Sequence, residues 1–305
     1  MPGASTSTRT CSMIYLNDRL VPEDRALVPV FDHGFLYGDG IYETLRAYKG
    51  VVFRFREHIG RLFRSASMIG LAVPMSPEGI ERAVYSTMEA NGQKDAVIRI
   101  TVSRGPGPVG LDPALCPGPT FVIISSDFRR YPPRYYRKGV GIAVVNTRRN
   151  FRGALDPKIK SLNFLNNILA KREAIDRGAY EAVMLNYRGY IAEGTVTNVF
   201  FVKDGILCTP SVDVGILDGI TRGLIIDIAG DVGIEVSEGR FRKEALYNAQ
   251  EVFISNTTME VMPVAEVDDT KIADSPGRLT RLLHRAYRKN VSEYIKRHGY
   301  RLHSG

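Results

Sequence analysis

Apolar and polar residues alternate from Ile41 to Tyr48, which predicts a strand closed by a turn at Lys49-Gly50. The period then changes. Ile59, Leu62, Phe63, Ala66 and Ile69 share one face of a helix over 56–69, and a second helix over 77–91 ends at Gly92. Before them, residues 13–21 read as a hairpin turning at Asn17-Asp18. After them, 97–103 and 120–125 read as strands bracketing a Gly/Pro loop at 105–119. In the second half, strands are expected over 140–147, 181–187, 190–193, 197–202 and 251–255. Helices are expected over 163–177, 220–230 and 242–248 and at the end of the chain. The elements mix without a regular βαβ repeat, so the expected class is α+β.

The run R-R-Y-P-P-R-Y-Y-R-K (129–138) is rich in Pro, Arg and Tyr. It places a linker at 130–138, between a smaller N-terminal domain (13–129) and a larger C-terminal domain (139–305). Residues 1–12, M-P-G-A-S-T-S-T-R-T-C-S, lack the apolar stretch of a signal peptide and read as a disordered tail.

Composition changes the picture little: 305 residues, 44% apolar and 24% charged, as in ordinary globular proteins. The net charge of +8 invites a polyanion partner. Much of the excess, however, lies among Arg278, Arg281, Arg285, Arg288, Lys289, Lys296, Arg297 and Arg301. Leu279, Leu282, Leu283, Ala286, Val291, Tyr294 and Ile295 recur between them at near-helical spacing. That pattern predicts a docked terminal helix with a solvated basic face, and no nucleic-acid partner. Cys11, Cys116 and Cys208 are far apart and make no metal spacing, which points to reduced thiols in a cytoplasmic protein without a metal. No apolar run is long enough for a membrane span.

Gly105-Pro-Gly-Pro-Val-Gly110 matches G-x-G-x-x-G, but the prolines that follow forbid the helix a dinucleotide needs. Neither a hydrolase G-x-S-x-G nor a metal-ligand spacing among the five histidines is present. What remains is a set in one stretch. Lys160 lies where a strand-like run gives way to a helix, Glu193 lies in a strand, and Gly219-Ile-Thr opens another helix. An amine, a carboxylate and a helix N-terminus are what a pyridoxal phosphate site must supply.

The motifs K-S-L-N (160–163), E-G-T-V-T-N-V-F (193–200), G-I-T-R (219–222) and E-H-I-G-R-L (57–62) make the specific case. Through them the chain resembles the class IV pyridoxal-phosphate aminotransferases of fold type IV, over nearly its whole length. That family includes branched-chain aminotransferases, D-amino-acid aminotransferases and 4-amino-4-deoxychorismate lyase. The resemblance implies pyridoxal 5'-phosphate as cofactor and Lys160 as the Schiff-base lysine and proton carrier. It implies Glu193 as partner of the pyridine nitrogen, Arg61 as phosphate arginine, Ile220 and Thr221 as phosphate-binding backbone, and Leu217 against the ring. Thr257 would serve both phosphate and substrate carboxylate, with Thr258 beside it.

Substrate motifs divide within the family. Arg99 matches an arginine for the distal carboxylate of glutamate, and G-L-D-P (110–113) matches a loop placing Leu111 in a partner subunit's pocket. Tyr37, Tyr42 and Arg46 match pocket positions. Val97, Phe164 and Thr44 depart from the branched-chain pattern. The carboxylate trap of the D-amino-acid enzymes is replaced by Val109 and Leu111, and S-R-G (103–105) and V-M-P-V (261–264) are shared with the lyase. The reading taken forward is ping-pong transfer of the amino group from branched-chain L-amino acids to 2-oxoglutarate by a homodimer or larger assembly. The D-amino-acid transaminase and the lyase remain as alternatives.

Overall fold

A computed structural model describes residues 12–299. Residues 1–11 of the expected tail, Cys11 among them, and residues 300–305 lie outside them. The first sheet holds β1 (Met13–Leu16), β2 (Arg19–Pro22), β3 (Gly40–Tyr48), β4 (Val51–Val52), β5 (Ala96–Ser103) and β6 (Thr120–Asp127). Its order is β2-β1-β6-β5-β3-β4, antiparallel throughout. The alternation read in β3 has a direct use. Ile41, Leu45 and Ala47 pack on helices α2 (Phe55–Met68) and α3 (Pro77–Ala90). On the opposite face, the period-2 pleat aligns Tyr42, Thr44, Arg46 and Tyr48. The short helix α1 (His33–Tyr37), capped by the Asp32 side chain, was not predicted. Three glycines among its neighbours hide its period.

The second sheet is mixed. Its order is β12-β11-β10-β13-β14-β7-β8-β9, with β15 added at β14. The strands are β7 (Val140–Val144), β8 (Glu181–Leu185), β9 (Ile191–Gly194), β10 (Asn198–Lys203), β11 (Ile206–Pro210), β12 (Val236–Gly239), β13 (Glu251–Asn256), β14 (Glu260–Val267) and β15 (Thr270–Lys271). Helix α5 (Leu165–Asp176) sets Ala170 and Ala174 against Ala143, Ala182 and Met184. Helices α6 (Ile220–Asp231) and α8 (Arg278–Gly299) cover Phe200 and Phe253, which stack at 4.8 Å. Tyr48 and Phe53, from the first part of the chain, join that cluster. The terminal helix docks as its spacing predicts: Leu283, Tyr287 and Val291 are buried and Arg281, Arg285 and Arg288 are exposed. The proposed linker is not plain coil, because Pro133–Lys138 forms helix α4, and α7 (Glu244–Tyr247) is one turn. Strand β14 escaped prediction because Pro263 sits inside it, an unusual place for a residue with no N–H to give a central strand.

Candidate active site

Residues 160–162 leave the second half of the chain and pair with β3. The Tyr42 N–H donates to the Lys160 carbonyl (2.9 Å) and the Leu162 N–H to the Gly40 carbonyl (2.9 Å). Gly40 permits this approach, since a Cβ there would lie 2.7 Å from Leu162 Cδ1 and 2.6 Å from the Val102 carbonyl. The Lys160 N–H is held by Ser65 Oγ (3.2 Å), and its amine lies 4.5 Å from the centre of the Tyr42 ring. The lysine is thus fixed by the first sheet, in the wall of a cavity of about 530 Å³ that the second sheet completes.

Glu193 reaches that cavity from β9, the last strand in its sheet. Its Oε1 accepts from Arg149 Nε (2.7 Å) and its Oε2 from the Leu217 N–H (3.0 Å), with both side chains nearly buried. Each carboxylate oxygen keeps a lone pair for a further donor. The Leu217 carbonyl in turn accepts from Asn198 Nδ2 (3.1 Å).

Helix α6 is preceded by Gly219, which offers no side-chain cap, and its first turn carries no acidic residue. The first N–H groups of a helix have no partner within it, so this end suits an anion. A Cβ at Gly219 would lie 2.0 Å from Asn198 Oδ1, so only glycine fits. Arg61, from α2, closes the same end. Its Nε and Nη2 clasp Glu43 (2.6 and 2.9 Å) and its Nη1 donates to the Asp218 carbonyl (2.9 Å), leaving two of five N–H donors free. His58 Nδ1 completes the clasp, 2.8 Å from Glu43 Oε2. Burial pushes the Glu43 carboxyl up, but the charges and hydrogen bonds of Arg61 and His58 outweigh it and hold it well below the usual range. Burial also lowers His58 from its ordinary 6.5, with Glu43 opposing. Glu43 therefore serves as a fixed anion that aims Arg61.

Thr257 and Thr258 line the cavity from the turn between β13 and β14, and Tyr42, Thr44 and Arg99 line it from the first sheet. The Arg99 guanidinium stacks 4.1 Å over the Tyr42 ring. Burial lowers its pKa below the ordinary value, and among the described residues it has no ion-pair partner within 4 Å. Three sequence candidates stand apart from the cavity. Tyr37 donates no contact into it and instead accepts from the Gly110 N–H (3.1 Å). Leu111 is 83% exposed on the loop after β5. Arg46 is buried and turned to the Thr258 carbonyl (3.1 Å), behind the residues that line the cavity. Sequence reasoning missed Arg149, Glu43 and His58, because nothing local marks a residue whose partner lies 15 to 44 positions away.

The residues fit pyridoxal 5'-phosphate. The cradle that only glycine permits, the free N–H groups of α6 and the two spare donors of Arg61 suit a phosphate at one end. The bound Glu193 carboxylate and the Lys160 amine suit a protonated pyridine nitrogen and a carbonyl carbon.

Residues 40–267 match the family model described as amino-transferase class IV. A Methanocaldococcus jannaschii protein provisionally named as a branched-chain-amino-acid aminotransferase is 44% identical over 271 residues, 88% of this chain and 93% of that one. The aminodeoxychorismate lyase of Bacillus subtilis (strain 168) is 34% identical over 94% of this chain and 97% of its own. The D-alanine aminotransferase of Listeria innocua is 36% identical over 91% and 96%. Among solved structures, a branched-chain amino acid aminotransferase from T.th. with pyridoxamine 5'-phosphate superposes with a TM-score of 0.89. It is 32% identical and covers 94% of this chain and 97% of that one.

Proposed function

This chain belongs to the class IV aminotransferases and uses pyridoxal 5'-phosphate, and from that premise we propose that it moves the amino group of branched-chain L-amino acids to 2-oxoglutarate in a ping-pong cycle. The observation that carries the reading is the convergence on one cavity of Lys160, Glu193, Arg61 and the start of α6. When bound, the cofactor supplies a carbonyl carbon for the amino group and a ring that accepts the electron pair released at the substrate Cα.

The chain's own residues do the rest. Lys160 Nζ would hold the cofactor until the amino acid arrives, then carry the proton from the substrate Cα to the cofactor's carbonyl carbon, and carry one in the opposite direction in the reverse half. Glu193, steadied by Arg149 and the Leu217 N–H, keeps a proton on the ring nitrogen. Arg61, with the N–H groups of Ile220 and Thr221 and the Thr257 hydroxyl, binds the phosphate, and Leu217 packs on the ring. Tyr42 and Arg99 face the substrate, with Thr257 and Thr258 at its carboxylate. Arg99, a desolvated cation without a carboxylate of its own, supports an acid with a second carboxylate as the common partner. Phe164, packed 5.2 Å from the Tyr42 ring, with Leu155 and Val196 supports an apolar side chain. The arginine of the S-R-G motif shared with the lyase is used elsewhere: Arg104 is locked to Asp39 (2.8 Å) and the Ile69 and Gly70 carbonyls.

A single half-reaction tests the substrate. On mixing with L-leucine or L-glutamate, the visible band of the bound cofactor is expected to bleach. Bleaching with D-alanine and D-glutamate alone would transfer the assignment to the D-amino-acid enzymes, and silence with all four would leave aminodeoxychorismate as the substrate to try.

The active form is taken as a homodimer or larger, with residues 13–129 and 139–305 as its two domains joined by 130–138. Leu111, Phe35, Leu165 and Ile168 are all more than half exposed, and in a working assembly a second copy would cover them. Sedimentation is expected to give at least a dimer at micromolar protein; a monomer with full activity would remove this part.

A further inference from the structure

The turn that carries Thr257 and Thr258 is gripped from outside at Thr258 and Met259. Arg46 Nη1 donates to the Thr258 carbonyl (3.1 Å), the Tyr136 hydroxyl donates to the Met259 carbonyl (3.0 Å), and the Tyr131 hydroxyl meets Thr258 Oγ1 (2.9 Å). The turn ends at Glu260, whose carboxylate is buried behind the cavity and absent from its lining. Glu260 Oε1 accepts from the Tyr48 hydroxyl (3.1 Å) and lies 3.9 Å from Arg46 Nη1, and Oε2 is 3.0 Å from His284 Nε2. The Arg46 guanidinium is wedged between the Tyr48 and Phe128 rings, 4.2 and 3.2 Å from their centres. Tyr136 stacks on His284 at 5.1 Å.

Two further observations make this more than packing. Glu260 has φ +60°, the left-handed region that favours glycine or asparagine, so a carboxylate stands where the backbone would prefer none. Burial also pushes its carboxyl up, yet His284, then Arg46 and Tyr48, bring it below the usual range, so it remains a buried anion. Asn256 Oδ1 accepts from the Thr258 and Met259 N–H groups and fixes the turn's shape. Glu260 fixes its place instead, since its partners come from β3 and α8, elements that the hairpin itself does not contain.

We propose that Glu260 is a positioning residue, which anchors the Thr257–Thr258 turn to β3 through Arg46 and Tyr48 and to the terminal helix through His284, and so sets the affinity for the amino acid. The proposal rests on the assignment of that turn to the substrate carboxylate. Such a contact acts alike on bound substrate and transition state, so its loss raises KM and leaves kcat nearly intact.

The test uses Glu260→Gln, which keeps the side chain's size, Arg46→Lys, which keeps the charge but loses the fork, and the double variant. Each is assayed with whichever L- or D-amino acid the wild type turns over fastest, beside the affinity of the apoprotein for pyridoxal 5'-phosphate and the Tm. KM is expected to rise about tenfold or more in both single variants, in line with loss of a charge-assisted hydrogen bond. Cofactor affinity should change by less than about threefold, because Arg61 and the start of α6 keep the phosphate even where the Thr257 hydroxyl is displaced. The double variant should be no worse than the poorer single one, because both act through one turn. A lower Tm with unchanged KM would make Glu260 merely structural and overturn the proposal, as would equal losses of amino-acid and cofactor affinity. A wild type that prefers a D-amino acid would refute the branched-chain reading and leave this test intact.

Discussion

Lys160→Ala is expected to lower turnover on the order of 10⁴-fold, since one amine acts as both nucleophile and proton carrier. The loss should fall on chemistry and spare the fold. Among the described residues the Lys160 amine makes no hydrogen bond or ion pair, and its backbone bonds to Tyr42 and Ser65 do not use the side chain. Borohydride reduction followed by peptide mass measurement separates the two halves of this claim. Wild-type protein should carry the cofactor's mass on the peptide containing Lys160, and the variant should carry none while still holding cofactor through Arg61 and the start of α6. Full transaminase activity in the variant, or a modified lysine elsewhere, would displace Lys160 from its role.

The second large effect is expected at Glu193. Glu193→Gln keeps the shape and one acceptor oxygen but removes the charge opposite the ring nitrogen. Turnover should drop on the order of 10²- to 10³-fold, the scale of losing one preorganised electrostatic contact. Arg149 complicates the reading, because it would then be a nearly buried cation without its partner. Arg149→Met in the same background restores the balance of charge. If Glu193 acts on the cofactor, the double variant remains slow although its Tm recovers. Recovery of turnover with Tm would mean that Glu193 only stabilises the loop of Leu217. Unchanged turnover in Glu193→Gln alone would remove its assigned role.

Much of this site is legible in the residues alone, and the limits of that reading are physical. Glu193 and Gly219–Thr221 lie at the ends of elements whose period the sequence shows, whereas Lys160 stands in coil between β7 and α5, where the strand-like run expected before it does not form. The alternation in β3 separates its two faces correctly but does not say that Glu43, on the helix side, meets Arg61 and His58. Glu43 looks locally like any strand carboxylate. Arg46 is the opposite case. Its motif matches a pocket position, yet two aromatic rings and the Thr258 carbonyl compete for the guanidinium and hold it behind the wall. Strands β11, β12 and β15 are short or end in proline or glycine, and their pairing is decided by neighbours distant in the chain. Propensity carries no record of such partners.

Leu162 and Gly40 give the docking of the lysine segment a meaning for descent as well as for chemistry. The segment belongs by chain order to the second half, yet it is sewn to the first sheet, and the seam passes over a glycine that has no room for even a methyl group. The two halves are therefore not interchangeable modules. A first half grafted from a distant relative would have to bring a glycine at position 40 and a matching groove for Leu162, or the reactive amine would be delivered to the wrong place. Drift at one side of this seam constrains drift at the other, across more than a hundred residues of sequence.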